Sequence, residues 1–295
     1  MNRTENHIKL IECPRDAMQG WKHVIATEKK IEYLQALLQV GFDTLDFGSF
    51  VSPKAIPQMA DTKEVVGSLE PGVLSRESKA GNTKLLAIVA NVRGAEEASA
   101  YEAIHYLGFP FSISETFQQR NTNSSISESL ERVTAIQEIC VKHGKQLVVY
   151  ISMGFGNPYG DPYSEEIVFQ WAGKLAALGI SMISLADTVG VATPEQVETI
   201  TKYLIGALPQ TEIGVHLHST AGNRKEKIDA ALQAGCRRFD GALKGIGGCP
   251  MANDELVGNM DTEWMIRHFE KAGYTVPYNK EALIKSSMLA NEIFL

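Results

Sequence analysis

Short apolar runs alternate along the chain with longer segments in which apolar residues recur every three or four positions. The short runs, rich in Val, Ile, Leu and Phe, predict β-strands, and the longer segments predict α-helices. We expect eight strands, at Ile8–Cys13, Thr44–Phe47, Leu85–Val89, Phe109–Ile113, Leu147–Ile151, Met182–Leu185, Gly214–Thr220 and Arg238–Gly241. Since Leu85–Val89 has no polar position, it is typical of a strand covered on both faces.

Start and stop signals predict helices between these strands. Ser125 and Glu128 have the spacing of a capping box, Thr193 precedes a proline at the first helical position, and Gly41 is a helix terminator. Pro14 to Asp16 is expected to be a turn. Helices are expected from Thr27 to Gly41, Ile56 to about Leu69, Ala95–Tyr106, Ser125 to His143, Ser164 to Leu178, from Thr193, Lys225–Ala234, Glu263–Lys271 and in the tail after Gly273.

Eight strand-then-helix units without a linker predict a parallel sheet. At 295 residues, eight such units favour one domain, a closed (β/α)8 TIM barrel of class α/β with a short C-terminal helical extension. A doubly wound open sheet is the alternative, although no glycine-rich dinucleotide or phosphate loop follows a strand. The apolar tail is expected to pack on the barrel or on a neighbouring subunit, which suggests a homodimer.

Composition excludes several classes of protein. The chain has 28 basic and 35 acidic residues and no basic run, which argues against a nucleic-acid partner. It has no apolar stretch long enough to span a membrane, and strand-like sequence from Ile8 leaves no room for a signal peptide. Four scattered cysteines favour a reducing, cytoplasmic location. Of these, Cys140 and Cys236 are expected to be buried thiols.

Candidate chemistry begins with His216 and His218, which are two residues apart on the seventh predicted strand. Residues at this spacing point to the same side of a strand, so both imidazoles could bind one divalent metal ion. The alternative is a hydrogen-bonded histidine pair. A carboxylate from Asp16 would complete a two-histidine, one-carboxylate set suited to Mg²⁺, Mn²⁺ or Co²⁺. Asn259 is either a further oxygen ligand or a helix cap before Met260.

Other polar residues follow the predicted strands and should meet at one mouth of the barrel. Each also has a structural interpretation: Asp16 as a turn former, Asn91 as a left-handed turn residue and Asp187 as a helix cap. Cys249 is either a chemically active thiol or a structural one, and it lies in a glycine-rich loop that could close over a site. The polar strand ends are Arg15, Asp16, Asp46, Ser49, Asn91, Asp187, His216, His218 and the loop Gly245–Pro250.

Five segments together resemble the 3-hydroxy-3-methylglutaryl-CoA lyases, in the superfamily of metal-dependent lyases and acyl-CoA synthases built on this barrel. Cys13–Gln19 is similar to the family's PRDGLQ signature, with Ala17 and Met18 in place of Gly-Leu, and Asp46 stands where glutamate is usual. The other four are Ser49–Lys54 with Pro57–Met59, Ser184–Gly190, His216–His218 and Gly245–Pro250.

The resemblance implies a single pyruvate-carboxyltransferase-like catalytic domain over residues 1–295. It also implies metal-assisted retro-Claisen cleavage of a CoA thioester to acetoacetate and acetyl-CoA, the chemistry of leucine degradation and ketone-body formation. The implied metal is Mg²⁺ or Mn²⁺. The implied residues are Asp16, His216, His218 and Asn259 as metal ligands, Arg15, Asp16, His216 and Cys249 in catalysis, and Gln19, Asp46 and Asp187 in support.

Two alternatives are a related acyl-CoA aldolase or condensing synthase and an inactive metal-binding barrel. The cysteine-bearing loop and the lack of a C-terminal regulatory domain favour the lyase. The phosphates of CoA require basic residues at the mouth, for which Lys22, Lys54, Arg93 and Arg120 are candidates.

Overall fold

The computed structural model describes residues 6–69, 83–248 and 257–294. Eight parallel strands close into a barrel in which each strand lies beside the next one along the chain, which confirms the expected (β/α)8 architecture. These strands are β1 Lys9–Glu12, β2 Thr44–Ser49, β3 Lys84–Ile88, β4 Ile104–Ser112, β5 Gln146–Ser152, β6 Met182–Ala186, β7 Glu212–His216 and β9 Arg238–Gly241. Strand β9 pairs with both β1 and β7 and so closes the barrel.

Helices surround the barrel and cover its outer face. They are α1 Pro14–Gln19, α2 Thr27–Val40, α3 Thr62–Gly67, α4 Val92–Ser99, α5 Glu115–Thr122, α6 Ile126–Lys142, α7 Glu165–Ala177, α8 Pro194–Ala207, α9 Arg224–Gln233, α10 Thr262–Lys271 and α11 Lys280–Phe294. Pro57–Met59 and Leu243–Gly245 are 3₁₀ turns. In the described part of the chain, we find no helix with the length and apolar content that a bilayer crossing requires.

The alternation of side chains along the strands produces two apolar layers. One set packs between strands and helices, where Leu34 and Leu37 of α2 are fully buried. A smaller cluster fills the interior of the barrel and consists of Leu86, Ile88, Val148, Tyr150 and Met182. The C-terminal helix α11 packs against α2 and buries Phe294 edge-on to Trp21 and Tyr33. The expected helical extension is therefore part of the barrel wall.

The expected turn at Pro14 was wrong, and the helix expected at Ala95–Tyr106 was wrong in its bounds. Residues Pro14–Gln19 form a short helix, because Pro14 fits the first helical position. Helix α4 ends at Ser99, and Ile104 already begins β4, which extends to Ser112. Strand pairing on both sides of β4 overrides the helical spacing of the preceding alanines.

Two further elements differ from the sequence prediction. The expected helix from Ile56 to Leu69 is divided into the 3₁₀ turn and α3, with Thr62 donating a 2.8 Å hydrogen bond to the carbonyl oxygen of Met59. The seventh strand ends at His216, and His218 begins a separate two-residue strand β8 (His218–Ser219). Strand β8 pairs antiparallel with β10 (Gly258–Asn259), with Asn259 opposite His218. This small sheet places Asn259 beside His218.

One buried carboxyl group ties the first strand to the last part of the barrel. Glu12 is fully buried and accepts hydrogen bonds from the Leu243 backbone N–H at 2.8 Å and the Thr262 hydroxyl at 2.6 Å. Burial raises the pKa of Glu12 to about 8, against the effect of these two hydrogen bonds. A carboxyl group whose pKa is higher in the folded state favours folding when protonated, so its contribution is lost as pH rises towards 8.

Replacing Glu12 with glutamine should therefore flatten the pH dependence of stability. We expect the free energy of unfolding of the wild type to fall more between pH 5 and pH 8.5 than that of Glu12→Gln, as measured by urea denaturation. The exposed Glu138 provides the control Glu138→Gln, which should follow the wild type. Parallel curves for wild type and Glu12→Gln would contradict this account of Glu12.

Candidate active site

A cavity of about 360 Å³ opens where the barrel strands end. Its wall combines a polar side, which includes Arg15, Asp16 and both histidines, with an apolar side that includes Ile88 and Pro110. A site of this kind, apolar with a few convergent polar groups, is suited to a small organic ligand. Of the polar strand ends expected at one mouth, Arg15, Asp16, His216 and His218 line this cavity.

Arg15 lies at the centre of a buried network of charges. Its Nε and Nη2 atoms contact Asp46, with Nε 3.0 Å from Oδ2. Its Nη1 atom donates to Asp16 Oδ1 at 3.0 Å and to Gln19 Oε1 at 2.9 Å. The guanidinium group is thereby fixed in orientation by three side chains. Asp46 reaches the guanidinium group although aspartate is one methylene shorter than the glutamate that is usual at this position. The register of β2 against β3 shifts between Asp46 and Gly48.

The charges of this network depend on burial. Burial raises the pKa of Asp46 to about 6, while the charge of Arg15 opposes that rise. Burial alone would also raise the pKa of Asp16, but Arg15, His216 and His218 together lower it. The positive charge of Arg15 therefore favours the carboxylate form of both Asp16 and Asp46.

The structure brings Asp16 to His216 and His218, although Asp16 lies 200 positions before His216 in the sequence. One ligand atom from each lies within 4.8 Å of the others, and all three side chains are buried. The two imidazole rings have centroids 5.3 Å apart. They are not a mutually hydrogen-bonded pair, because each ring has its own partner elsewhere.

His216 is oriented by Asp240, which sequence analysis placed in a strand without assigning it a role. The Nδ1 atom of His216 lies 3.1 Å from Asp240 Oδ2. Burial alone would lower the pKa of His216, but the hydrogen bond and charge of Asp240 and the charge of Asp16 raise it. Metal-binding histidines commonly have such a carboxylate on the other ring nitrogen.

His218 is a neutral imidazole with one unused nitrogen. Its Nδ1 atom lies 3.1 Å from the carbonyl oxygen of Thr188. Burial, reinforced by the nearby His216, lowers the pKa of His218 to about 4. Within the described residues, its buried Nε2 atom has no hydrogen-bond partner. A neutral ring with a free, buried nitrogen is the form in which histidine binds a metal.

Asn259 completes the cluster from β10. Its side-chain amide donates to Asp16 Oδ2 at 2.8 Å and to the Ile246 carbonyl oxygen at 2.9 Å. Its buried Oδ1 atom is without a partner in the part of the chain that the structure describes. The alternative of Asn259 as a helix cap was wrong, because Asp261 caps α10 by accepting from the Trp264 N–H.

These donors fit a divalent cation. One carboxylate and two imidazoles converge, and the Asn259 amide contacts that carboxylate. Two buried atoms of this set, His218 Nε2 and Asn259 Oδ1, have no protein partner among the described residues. Unpaired buried polar atoms are costly unless a ligand or ion satisfies them. A mixed oxygen and nitrogen set without thiolate suits Mg²⁺ or Mn²⁺ as well as heavier divalent ions.

Cys13 forms a second possible group with His216 and Asp240. Burial, followed by the charges of Asp240, Asp46 and Asp16, raises the pKa of the Cys13 thiol well above its usual value. Only a thiolate is a good metal ligand. We therefore interpret Cys13 as a buried structural thiol, like Cys140 and Cys236, which are both buried as expected.

Asp187 is not a helix cap but half of a buried ion pair. Its Oδ2 atom accepts from Lys227 Nζ at 2.6 Å, and its Oδ1 atom accepts from the Ala192 N–H at 3.0 Å. The role of Lys227 was not predicted from the sequence. The available signal was its position on the apolar face of α9, three and four residues before Ala230 and Ala231. Asn91, expected to be a left-handed turn residue or a mouth residue, caps α4 through the Gly94 N–H.

Cys249 lies outside the described residues, but the loop before it is described. Gly247 has a φ of +95°, and a Cβ atom there would lie 2.8 Å from Ala17 Cα and 2.7 Å from Asn259 Nδ2. Only glycine allows this loop to pass so close to α1 and the amide. Residue 249 is therefore two positions along the chain from a backbone that contacts the site.

Of the four basic residues considered for CoA, only Arg120 lines the cavity. Its guanidinium carbon lies 4.7 Å from the centroid of the Tyr159 ring, on the loop that follows β5. Lys22 and Lys54 are exposed side chains, and Arg93 pairs with Glu97 at 2.8 Å.

Comparison with known proteins gives consistent matches over almost the whole chain. Residues 8–289 match the HMGL-like family. The chain is 34% identical over 282 residues to "Hydroxymethylglutaryl-CoA lyase YngG" of Bacillus subtilis, covering 95% of this chain and 90% of that protein. It is 32% identical over 289 residues to "Hydroxymethylglutaryl-CoA lyase, mitochondrial" of Mus musculus, covering 97% and 85%.

A solved structure is equally similar. It is an HMG-CoA lyase from Acinetobacter baumannii in complex with coenzyme A and 3-methylmalate, with a TM-score of 0.89 and 31% identity. The match covers 100% of this chain and 93% of that one.

Proposed function

Since the chain belongs to the HMGL-like family, we propose that it is a lyase that cleaves 3-hydroxy-3-methylglutaryl-CoA to acetoacetate and acetyl-CoA. Relatives at 32% and 34% identity bear the name of this activity. The observation that carries the proposal is the convergence of Asp16, His216 and His218 beside a fixed Arg15 in one cavity.

The reaction breaks the bond between C2 and C3 of the substrate. The C3 hydroxyl group loses its proton and becomes the ketone of acetoacetate. The electron pair of the broken bond passes to the thioester as an enolate, whose C2 then takes up a proton to give acetyl-CoA. The site must therefore accept one proton, stabilise one developing negative charge and deliver one proton.

Asp16, His216, His218 and Asn259 would hold a divalent cation, Mg²⁺ or Mn²⁺. When bound, the cation would lower the pKa of the substrate hydroxyl group. Asp16 and His216 are the candidate acceptors of the hydroxyl proton. Because Nδ1 of His216 faces Asp240, only its Nε2 atom is available, either to bind the cation or to take the proton.

Arg15 faces the thioester oxygen in this proposal and stabilises the enolate as it forms. The support is its fixed orientation, since Asp46 and Gln19 hold the guanidinium group before substrate binds. A preorganised cation needs no rearrangement when charge develops, and such contacts are among the largest contributions to catalysis. Gln19 and Asp46 thus act in support of Arg15, and Asp187 supports the loop beside His218.

Cys249 delivers the proton to C2 in this proposal. The support is the close approach of Gly247 to Ala17 and Asn259, together with the glycine-rich sequence that precedes the cysteine. The CoA moiety lies towards Arg120, the basic candidate on the cavity wall. The Acinetobacter baumannii relative was solved with coenzyme A.

A cytoplasmic location and a homodimer complete the proposal. The free thiols of Cys13, Cys140 and Cys236 suit a reducing compartment, and a rat relative is named cytoplasmic. Ile284 and Met288, one helical turn apart on α11, are exposed and support a partner copy on this face.

The proposed activity is tested by incubating the Mg²⁺-loaded protein with 3-hydroxy-3-methylglutaryl-CoA. We expect acetoacetate and acetyl-CoA to form in equal amounts. The control is the exposed-residue variant Glu138→Gln, which should retain full activity. Metal-loaded protein that binds the thioester without forming either product would overturn the proposal and favour a synthase or an inactive barrel.

A further inference from the structure

We propose that Lys227 is a positioning residue that holds His218 and the loop after β6 in the arrangement needed to bind the metal ion. The inference rests on the proposed function of the site, but its main test measures metal binding without catalysis. Lys227 belongs to α9 and does not line the cavity. It contacts the site on the side that faces away from the cavity.

All three donors of the Lys227 ammonium group make hydrogen bonds. The residue is 1% exposed, and Nζ donates to Asp187 Oδ2 at 2.6 Å, to the His218 carbonyl oxygen at 2.9 Å and to the Gly190 carbonyl oxygen at 3.1 Å. An ammonium group has three donors. All three are therefore committed to two segments of the site, the loop after β6 and strand β8.

These contacts control the position of the His218 ring from two directions. One fixes the backbone of His218 itself. The other two fix Asp187 and Gly190, the ends of the short loop whose Thr188 carbonyl oxygen lies 3.1 Å from His218 Nδ1. The loop thus fixes the orientation of the His218 ring, and Lys227 fixes the position of the loop. Side chains that orient a metal ligand typically change metal affinity 10- to 100-fold when removed.

The chain contains a matched lysine with a different location. Lys30 is also buried, at 4% exposed, and its ammonium group contacts both carboxylate oxygens of Asp61, at 2.8 and 2.9 Å, and the carbonyl oxygen of Gln58. It joins α2 to the start of α3. Removing Lys30 should therefore destabilise the fold in a similar way without moving His218.

The experiment compares Lys227→Met with Lys30→Met by Mn²⁺ titration in the absence of substrate. We expect both variants to have a lower Tm. Lys227→Met should bind Mn²⁺ roughly 10-fold more weakly or worse, whereas Lys30→Met should stay within about twofold of wild type. Unchanged Mn²⁺ affinity in folded Lys227→Met would overturn the proposal.

Whether Mn²⁺ affinity falls or rises in Lys227→Met distinguishes a positioning role from a purely electrostatic one. Removing a cation and leaving Asp187 unpaired would by itself favour binding of Mn²⁺. Weaker binding therefore requires displacement of the ligands, and tighter binding would also overturn the proposal. If Lys227→Met does not fold, Asp187→Asn with Lys227→Met removes the unpaired charge. This double variant should still bind Mn²⁺ more weakly, because the carbonyl oxygens of His218 and Gly190 have lost their donor. Wild-type Mn²⁺ affinity in the double variant would contradict the proposal.

Turnover provides an independent readout. We expect Lys227→Met to need a higher Mg²⁺ concentration for half-maximal activity and to recover much of its kcat at saturating Mg²⁺. A wild type without lyase activity would defeat the proposed function, but a weakened Mn²⁺ affinity in Lys227→Met would still support the positioning role.

Discussion

Replacing Arg15 with lysine should lower kcat roughly 1000-fold while leaving the protein folded and able to bind metal. The reason is geometric, because lysine keeps the positive charge but not the planar fork of donors. Arg15 contacts Asp46 through two nitrogens and reaches Asp16 and Gln19 through the third. A single ammonium group cannot satisfy these partners and also face the thioester. Loss of one preorganised donor typically costs 10²–10³ in kcat.

The measurement is steady-state acetoacetate formation at saturating Mg²⁺, with Mn²⁺ affinity as the check on the metal site. Arg93→Lys is the matched control, since Arg93 forms an exposed pair with Glu97 and should tolerate the change. An Arg15→Lys enzyme with a kcat near that of wild type would show that Arg15 serves the fold and not the reaction.

Removing the His218 ring should abolish turnover by removing metal. His218→Ala deletes a neutral ligand whose Nε2 atom has no partner among the described residues, and leaves Asp16 and His216 as the principal donors. We expect Mn²⁺ affinity to fall by at least 100-fold and acetoacetate formation to fall below detection. His143→Ala, at the exposed C-terminal end of α6, should behave as wild type. Full activity with metal-depleted His218→Ala would contradict the metal-assisted mechanism.

Much of the fold follows from local sequence. The eight short apolar runs correspond to the eight barrel strands. They are apolar because each strand is buried between the helices on one face and the barrel interior on the other. The signals at Ser125, Thr193 and Gly41 marked helix ends correctly, since capping depends on residues only a few positions apart. The end of the helix predicted at Ala95–Tyr106 was wrong, because β4, which replaces the last residues of that range, depends on pairing with the two neighbouring strands β3 and β5.

The site was predictable as a set of side chains but not as a network. Strand periodicity placed His216 and His218 on one side, and the barrel topology brought Asp16 to them. The partners that orient them were not visible: Asp240 was expected only as part of a strand, and Lys227 only as part of a helix. Their roles depend on contacts across 24 and 40 positions of sequence. No local pattern encodes such a contact.

The central claim is that one divalent cation is held by Asp16, His216 and His218 in this cavity. It is tested most directly by anomalous X-ray diffraction from crystals of the wild-type protein soaked in Mn²⁺. We expect one strong peak within about 2.0–2.4 Å of a carboxylate oxygen of Asp16 and a ring nitrogen of each histidine. A strong peak at other residues, with none between these three side chains, would contradict it.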